Sequence, residues 1–223
     1  MLNEFDNWIF DLDGTLVNSS EEVLECFKKA FKASDYEIDE SRFTSDVIGP
    51  PLRQIIHTLV PELSDEETIT RVVTNFRQIY DYDENDISVM YDGMFDLLQQ
   101  LKKEGKKLFI ATFKPTIPTM RLIKKFNLSI FDDIYTIDKF GKQITKSEMI
   151  EDIISKYNLD KSKTVMIGDA SSDVIAAKDA GVTGIGVLWG YGSDKTKLIE
   201  NADRIVERAE ELLEWQRLNC PII

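Results

Sequence analysis

From Tyr91 onward, short apolar runs alternate with amphipathic helical segments, and this alternation constrains the fold more than any other feature of the chain. Short apolar runs bounded by turn residues are typical of buried strands, whereas an apolar stripe that recurs every three or four residues is typical of a helix. Strands that alternate with helices predict an α/β fold built on a parallel, doubly wound sheet. We predict strands at 108–112, 134–137, 164–169 and 183–188, and helices at 94–104, 116–127, 146–157, 171–180 and 208–218.

The stretch from Trp8 to Leu16 gives this sheet its first strand and ends it in two acids, Asp11 and Asp13. Side chains at i and i+2 of a strand point to the same face. When two carboxylates lie this close together, each favours its protonated form, unless a cation lies between them or they serve different roles. A hard divalent ion with oxygen ligands, above all Mg²⁺, would remove the conflict. A strand followed by an ordinary Asp-Gly turn is the alternative that this stretch alone leaves open.

Polar residues also follow two later strands. Thr112 ends one of them, and Asp169 ends another with Asp173 beyond it. Each has a plain alternative: Thr112 as a strand-favouring residue, Asp169 as a helix cap and Asp173 as an exposed acid in a first helical turn. Ligands of open parallel sheets bind at the carboxyl ends of the strands. Together with the acids of the first strand, these residues therefore predict one site.

Residues 16–86 are predicted to be almost wholly helical, without a strand, so they form an insert in the sheet domain. Capping-box spacing from Ser19 to Glu22 and again from Ser64 to Glu67 predicts two helix starts. The predicted domains are a core of residues 1–15 and 87–223 and a helical domain of residues 16–86.

The charge and composition of the chain limit the classes of partner that it can bind. The formal net charge is −13, whereas nucleic acids and anionic membrane surfaces both require a basic footprint, so we expect neither as a partner. An anionic substrate would be attracted only locally, by a metal and one or two lysines. The two cysteines, Cys26 and Cys220, suggest neither a disulfide framework nor a zinc site. We see no membrane span or signal segment and expect a cytoplasmic protein.

Four ordered motifs resemble those of the haloacid dehalogenase superfamily. They are the letters DLDGT at 11–15, the strand ending in Thr112, Lys146 at the start of a helix, and GDASSD at 168–173. The resemblance spans nearly the whole chain and implies a Rossmann-like core, with residues 16–86 similar to the C1 cap of that superfamily. The letters IGPPLR at 48–53 and TFKP at 112–115 are most similar to the phosphoglycolate phosphatase group, which acts on small phosphate monoesters.

The resemblance implies a magnesium-dependent phosphatase. Asp11 would attack phosphorus and form an aspartyl-phosphate. Asp13 would protonate the leaving group and then deprotonate the hydrolytic water. Thr112 would hydrogen-bond a phosphoryl oxygen, and Lys146 would offset the negative charge. The implied metal ligands are Asp11, the backbone carbonyl of Asp13, Asp169 and, through water or as support, Asp173.

The predicted substrate-binding residues are Gly14, Thr15, Phe113, Lys114 and Arg53. Gly14 allows the backbone to approach a ligand, and Thr15 offers a hydroxyl. Lys114 could take the place of Lys146 as the lysine that offsets the negative charge. Phe113 stands where the family more often has a small polar residue. Arg53 could bind an anionic substrate, with an exposed helix arginine as the alternative.

Alternative functions remain open on the sequence. They are a phosphosugar mutase, a nucleotide or pyrophosphate phosphatase, a true dehalogenase, and a non-catalytic phosphate-binding module on the same fold. We expect a small phosphorylated metabolite as the partner, with the protein a monomer or a homodimer. Trp189, after the last predicted strand, is expected to pack in the core, with the rim of the site as the alternative.

Overall fold

A computed structural model of the protein describes residues 5–49, 51–82, 87–142 and 144–212. The chain divides into two compact units. The sheet unit contains the described residues up to Asn18, residues 90–190 and the described residues from Asp194. The helical unit contains the described residues between 19 and 89 and residues 191–193. The boundaries proposed from the sequence lie after residues 15 and 86, and the sequence pattern did not assign residues 191–193 to the helical unit.

The sheet unit is built on six parallel strands in the order β5-β4-β1-β6-β7-β8. The described strands are β1 (Asn7–Phe10), β2 (Val17–Asn18), β3 (Val89–Met90), β4 (Lys107–Ala111), β5 (Asp133–Tyr135), β6 (Thr164–Gly168), β7 (Thr183–Val187) and β8 (Arg204–Val206). The described helices are α1 (Ser20–Ala33), α2 (Leu52–Leu59), α3 (Glu66–Asp81), α4 (Met94–Lys103), α5 (Thr116–Lys125), α6 (Lys146–Tyr157), α7 (Ser171–Ala180) and α8 (Lys195–Asn201). The predicted doubly wound α/β fold is confirmed.

Alternate residues of β1 pack into two separate hydrophobic cores. Trp8 and Phe10 pack with buried residues of α4 and α5, whereas Ile9 packs with buried residues of α6 and α7. Because successive strand residues point to opposite faces, the helices cover both faces of the sheet. The register pairs Phe10 with Ile110 of β4 and with Ile167 of β6. The residues that follow these three strands therefore lie at one edge of the sheet.

The helical unit has its own aromatic core. Phe27 of α1 and Phe76 of α3 have ring centroids 4.2 Å apart, and both are buried. The helix start predicted at Ser19 is confirmed, because Ser19 is the N-cap of α1, but neither predicted capping box forms. Ser19 shares a 3.0 Å hydrogen bond with the hydroxyl of Tyr191, and α3 is capped by Asp65, which accepts from the backbone of Thr68. The side chain of Ser19 bonds to Tyr191 instead of the helix backbone, and Asp65 takes the cap position predicted for Ser64.

Other predictions also differ from the structure or lie outside the described residues. The segment 16–86 was expected to lack strands, but β2 lies within it because residues 17–18 pair with β3 in a two-stranded sheet. β3, β8 and α8 were not predicted. Residues 209–212 are helical and Arg208 is a bend, while residues 213–218 of the predicted closing helix, Cys220, Pro50 and residues 83–86 lie outside the described residues. Among the described residues, no helix combines the length and the apolar character that crossing a membrane requires.

Candidate active site

The loop after β1 folds tightly and sets the first two acids at the edge of the sheet. The amide of Asp11 continues the ladder by donating to Ile167, at 2.9 Å. The carbonyl of Leu12 then accepts from the amides of both Leu16 and Val17, at 2.9 Å each. These bonds satisfy the loop backbone internally, so Asp11 is held buried while Asp13 is partly exposed.

Three buried carboxylates converge beside this loop. One carboxylate oxygen each from Asp11, Asp169 and Asp173 lies within 4.8 Å of the others. Glycines make room for two of them: a Cβ at Gly14 would overlap the carboxylate of Asp169, and a Cβ at Gly168 would overlap that of Asp173. Gly14 also has a φ of +80°, which favours glycine. Glycine at positions 14 and 168 therefore lets the backbone pack closely against these two acids.

Lys146 lies between two of these carboxylates. It is the first residue of α6, whose start is fixed by a capping box between Thr145 and Glu148. Its Nζ lies 3.0 Å from Oδ1 of Asp11 and 2.5 Å from Oδ1 of Asp173. Burial alone would lower the pKa of Lys146, but the two carboxylates raise it above the usual lysine value. Lys146 is therefore an ammonium ion at neutral pH.

The site disfavours the charged form of Asp11. Its burial, together with the charge of Asp173, raises its pKa to about 6 although Lys146 acts in the opposite direction. The buried Oδ1 of Asp11 lies beside the ammonium group, but it receives no hydrogen bond of regular geometry from the described residues. A buried, under-satisfied carboxylate oxygen beside two other carboxylates suits a hard divalent cation. The donor set therefore fits the magnesium ion that the sequence predicted.

The second oxygen of Asp173 is already engaged. Oδ2 accepts from the amide of Ala170, at 3.0 Å, while Oδ1 contacts Lys146. Asp169 instead accepts from the hydroxyl of Thr15 at 3.3 Å. The assignment of Asp169 as a direct metal ligand and of Asp173 as a residue that supports the site stays a prediction.

Lys114 takes a separate position from Lys146. Its Nζ lies 3.1 Å from both carboxylate oxygens of Asp13, and its side chain is almost fully buried. The amide of Lys114 donates to the hydroxyl of Thr112 at 3.1 Å, so that hydroxyl still has its own proton to donate. The two lysines thus contact different acids: Lys146 contacts Asp11 and Lys114 contacts Asp13.

Phe113 and Arg53 complete the predicted set. The ring of Phe113 lies over Lys146, with Nζ 5.1 Å from the ring centroid. Arg53 belongs to the helical unit, where its guanidinium donates to Glu66 at 2.7 Å and to Thr70 at 2.9 Å. Its role toward a substrate stays a prediction.

Residues that the sequence did not assign to the site support the loop after β1. Trp189 packs against the core, as expected, and its indole N–H also donates to the carbonyl of Thr15, at 3.1 Å. A Cβ at Gly190 would overlap the carbonyl of Gly14 and the side chain of Asp169. The only sequence signal for these contacts is the series of glycines that begins at Gly184 in the last predicted strand and continues beyond it.

Tyr91 is a second residue that the sequence did not single out. Burial and the negative charges of Asp169 and Asp13 raise its pKa above the usual tyrosine value, so the phenol stays protonated. Its ring centroid lies 6.3 Å from that of Trp189. This aromatic pair brings apolar surface to one side of the acidic cluster.

Residues 8–187 match the family model described as haloacid dehalogenase-like hydrolase. The chain belongs to this family. The matched segment includes the loop after β1, both lysines and all the acids of the site. The resemblance drawn from the four motifs is therefore confirmed.

Individual relatives of this haloacid dehalogenase-like hydrolase carry phosphatase names. Pyrophosphatase PpaX of Halalkalibacterium halodurans is 29% identical over 180 residues, which are 80% of this chain and 81% of that protein. A solved structure of a predicted phosphatase from Clostridium acetobutylicum is 31% identical, with a TM-score of 0.79 over 97% of this chain and 99% of the other. A predicted phosphoglycolate phosphatase of Haemophilus somnus, 22% identical with a TM-score of 0.83 over 95% and 98% of the chains, shares the fold.

Proposed function

We propose that this haloacid dehalogenase-like hydrolase is a magnesium-dependent phosphatase that hydrolyses a small phosphate monoester through an aspartyl-phosphate on Asp11. The observation that carries the proposal is the buried contact of Asp11 with Lys146, at 3.0 Å, inside the acidic cluster. A carboxylate beside a fixed ammonium ion is held in place for attack on phosphorus, and the ammonium ion attracts the phosphoryl oxygens.

The reaction would proceed in two balanced steps. In the first, a carboxylate oxygen of Asp11 bonds to phosphorus, the bond from phosphorus to the ester oxygen breaks, and the carboxyl of Asp13 gives its proton to the leaving alkoxide. In the second, Asp13 takes a proton from water, the water oxygen bonds to phosphorus, and the bond to Asp11 breaks. Phosphate leaves, and both side chains return to their starting forms.

Other residues of the site hold the phosphoryl group. Lys146 offsets its negative charge, and the hydroxyl of Thr112 donates to one of its oxygens. Asp11, Asp169, Asp173 and the backbone carbonyl of Asp13 are the groups we propose for holding the magnesium ion. When bound, Mg²⁺ would neutralise charge on the phosphoryl oxygens and fix their orientation. Gly14 and Thr15 shape the loop that approaches the phosphate.

A phosphate-release screen with magnesium tests this function. The panel contains phosphoglycolate, sugar phosphates, nucleoside monophosphates and pyrophosphate, and Asp11→Asn serves as the blank. We expect release that requires Mg²⁺, stops with EDTA and is absent in Asp11→Asn. Full activity in that variant or in EDTA would refute the proposal.

Pyrophosphate is the second candidate substrate, because a relative that covers most of this chain is named a pyrophosphatase. The same residues could attack either substrate, since both present a terminal phosphoryl group. Phosphoglycolate remains the first compound from the sequence resemblance. A small phosphorylated metabolite as the partner, a cytoplasmic location and a monomeric or homodimeric state remain our predictions.

A further inference from the structure

Phe113 differs in exposure from the groups around it. Its neighbours in the chain, Thr112 and Lys114, are buried, as are Asp11 and Lys146. Phe113 is 43% exposed. Among the predicted site residues of the sheet unit, it is therefore the large side chain that presents most of its surface to solvent, and that surface is an aromatic ring.

The position of the ring connects it to the reaction. Nζ of Lys146 lies 5.1 Å from the ring centroid, and the same atom lies 3.0 Å from the nucleophilic carboxylate. The ring is thus separated from Asp11 by a single ammonium group. The phosphoryl group of a substrate would occupy the buried polar groups, so the rest of the substrate must extend toward the exposed surface of the site. Because Phe113 is the most exposed large side chain among the predicted site residues of the sheet unit, we take its ring as part of that surface.

The chemistry of this surface selects a class of leaving group. A phenyl ring offers no hydrogen bond to the hydroxyls or carboxylate of a small polar leaving group such as glycolate. It does offer a flat apolar face on which another ring can stack. Lys146 contacts the ring through its ammonium group, yet much of the side chain stays accessible.

We propose that Phe113 is a specificity-determining residue that stacks on an aromatic ring in the leaving group, so that the site prefers phosphate esters of ring-bearing alcohols over those of small polar alcohols. This inference rests on the proposed phosphatase function and narrows its substrate class: a ring-bearing phosphate ester would be preferred over phosphoglycolate, the first compound that the sequence resemblance suggests. It gives a physical role to the residue at which this chain departs from the small polar side chain more frequent in the family.

Benzyl phosphate and ethyl phosphate test the preference, because both release an alkoxide and only benzyl carries a ring. The quantity compared is the ratio of kcat/KM for benzyl phosphate to kcat/KM for ethyl phosphate, measured with Mg²⁺. We expect Phe113→Asn to lower this ratio by about fivefold to thirtyfold, the range that corresponds to loss of one stacked ring. Phe113→Trp, which keeps an aromatic face, should retain the preference.

Phe95 provides a matched control. It is a phenylalanine with the same exposure, 43%, and it lies on α4, which contributes none of the predicted site residues. Phe95→Asn should leave the ratio unchanged. An unchanged ratio in Phe113→Asn would overturn the inference, and so would an equal loss with both substrates, since that result assigns Phe113 to holding Lys146.

The failure of this inference is separable from failure of the proposed function. Benzylphosphonate and ethylphosphonate cannot release phosphate by breaking a P–O ester bond. Calorimetry can therefore measure their binding to the wild-type protein and to Phe113→Asn without turnover. Tighter binding of benzylphosphonate that is lost in the variant supports the stacking role even if neither ester is hydrolysed. Equal binding of the two phosphonates by the wild-type protein would overturn it.

Discussion

Lys114 and Lys146 follow different strands, yet each reaches one acid of the loop after β1. The sequence predicted that Lys114 follows a strand end and that Lys146 begins a helix, and the order of the motifs favoured Lys146 for the role beside the nucleophile. It could not assign Lys114 to Asp13, because that contact depends on how the turn after β4 directs a long side chain. The turn is fixed by the bond from the amide of Lys114 to the hydroxyl of Thr112.

Replacing Lys114 should slow the chemical step. We expect Lys114→Met to lower kcat by about tenfold to hundredfold, because Asp13 loses the ammonium group that contacts both its oxygens. KM should change much less, and Lys114→Arg should recover part of kcat. Steady-state kinetics with Mg²⁺ measure both values, and exposed Lys124→Met is the control. A raised KM with unchanged kcat would instead make Lys114 a substrate-binding residue.

Gly14 tests whether the loop is shaped around Asp169. A methyl group at Gly14 would overlap that carboxylate, so Gly14→Ala should weaken Mg²⁺ binding by about tenfold or more, as measured by calorimetry. Gly105→Ala is the matched control, since Gly105 has a φ of +76° and nothing within 4 Å of the added Cβ. The control should cost about 1 kcal/mol of stability and leave the affinity for Mg²⁺ unchanged. Equal loss of affinity in both variants would contradict the steric account.

At the scale of elements, the strands that form the site were predictable and the far edge of the sheet was not. β1, β4 and β6 are apolar runs with polar ends, which is a strong pattern. β8 is a three-residue strand that begins with Arg204, and α8 contains one buried residue, Leu198. Elements this short and polar are defined by their neighbours in the fold, so local sequence carries little signal for them.

Asp133 of β5 ties that strand to α6 and to the segment after β5. Its carboxylate accepts from Lys139 at 2.8 Å, from Lys156 at 2.7 Å and from Tyr157 at 3.0 Å. Partial burial raises the pKa of Asp133, but the hydrogen bonds from Lys139, Lys156 and the amide of Ile134 together hold it well below its usual range. The native protein therefore favours the carboxylate form.

The stability supplied by Asp133 should depend on pH. A depressed native pKa contributes stability above the unfolded value of about 4, and the contribution is lost as pH falls toward the native pKa. Asp133→Asn should lower the free energy of unfolding by about 1 to 3 kcal/mol at pH 7 and by progressively less below about pH 4. Urea unfolding at several pH values measures this, with exposed Asp179→Asn as the control. A cost that stays constant down to pH 3 would be the opposite result.

At the scale of the whole molecule, the charge opposes the proposed substrate. The formal net charge is −13, while the attraction comes from a few buried groups. Salt screens long-range repulsion more than short buried contacts. We therefore expect kcat/KM for ethyl phosphate to rise by about twofold to fivefold between roughly 10 and 200 mM ionic strength at fixed Mg²⁺. Phosphoethanolamine, with its ammonium group, should show a smaller rise, and a steady fall with salt for ethyl phosphate would contradict this account.

The central claim is that Asp11 accepts the phosphoryl group. The most direct measurement is a rapid acid quench of the Mg²⁺-loaded protein during turnover, followed by mass spectrometry of the peptide that contains Asp11. The account predicts one added phosphoryl group on Asp11 in the wild-type protein and none on that peptide in Asp11→Asn, which should also release no phosphate. Release of phosphate at the wild-type rate by Asp11→Asn, with no phosphorylated Asp11 in the wild-type protein, would contradict it.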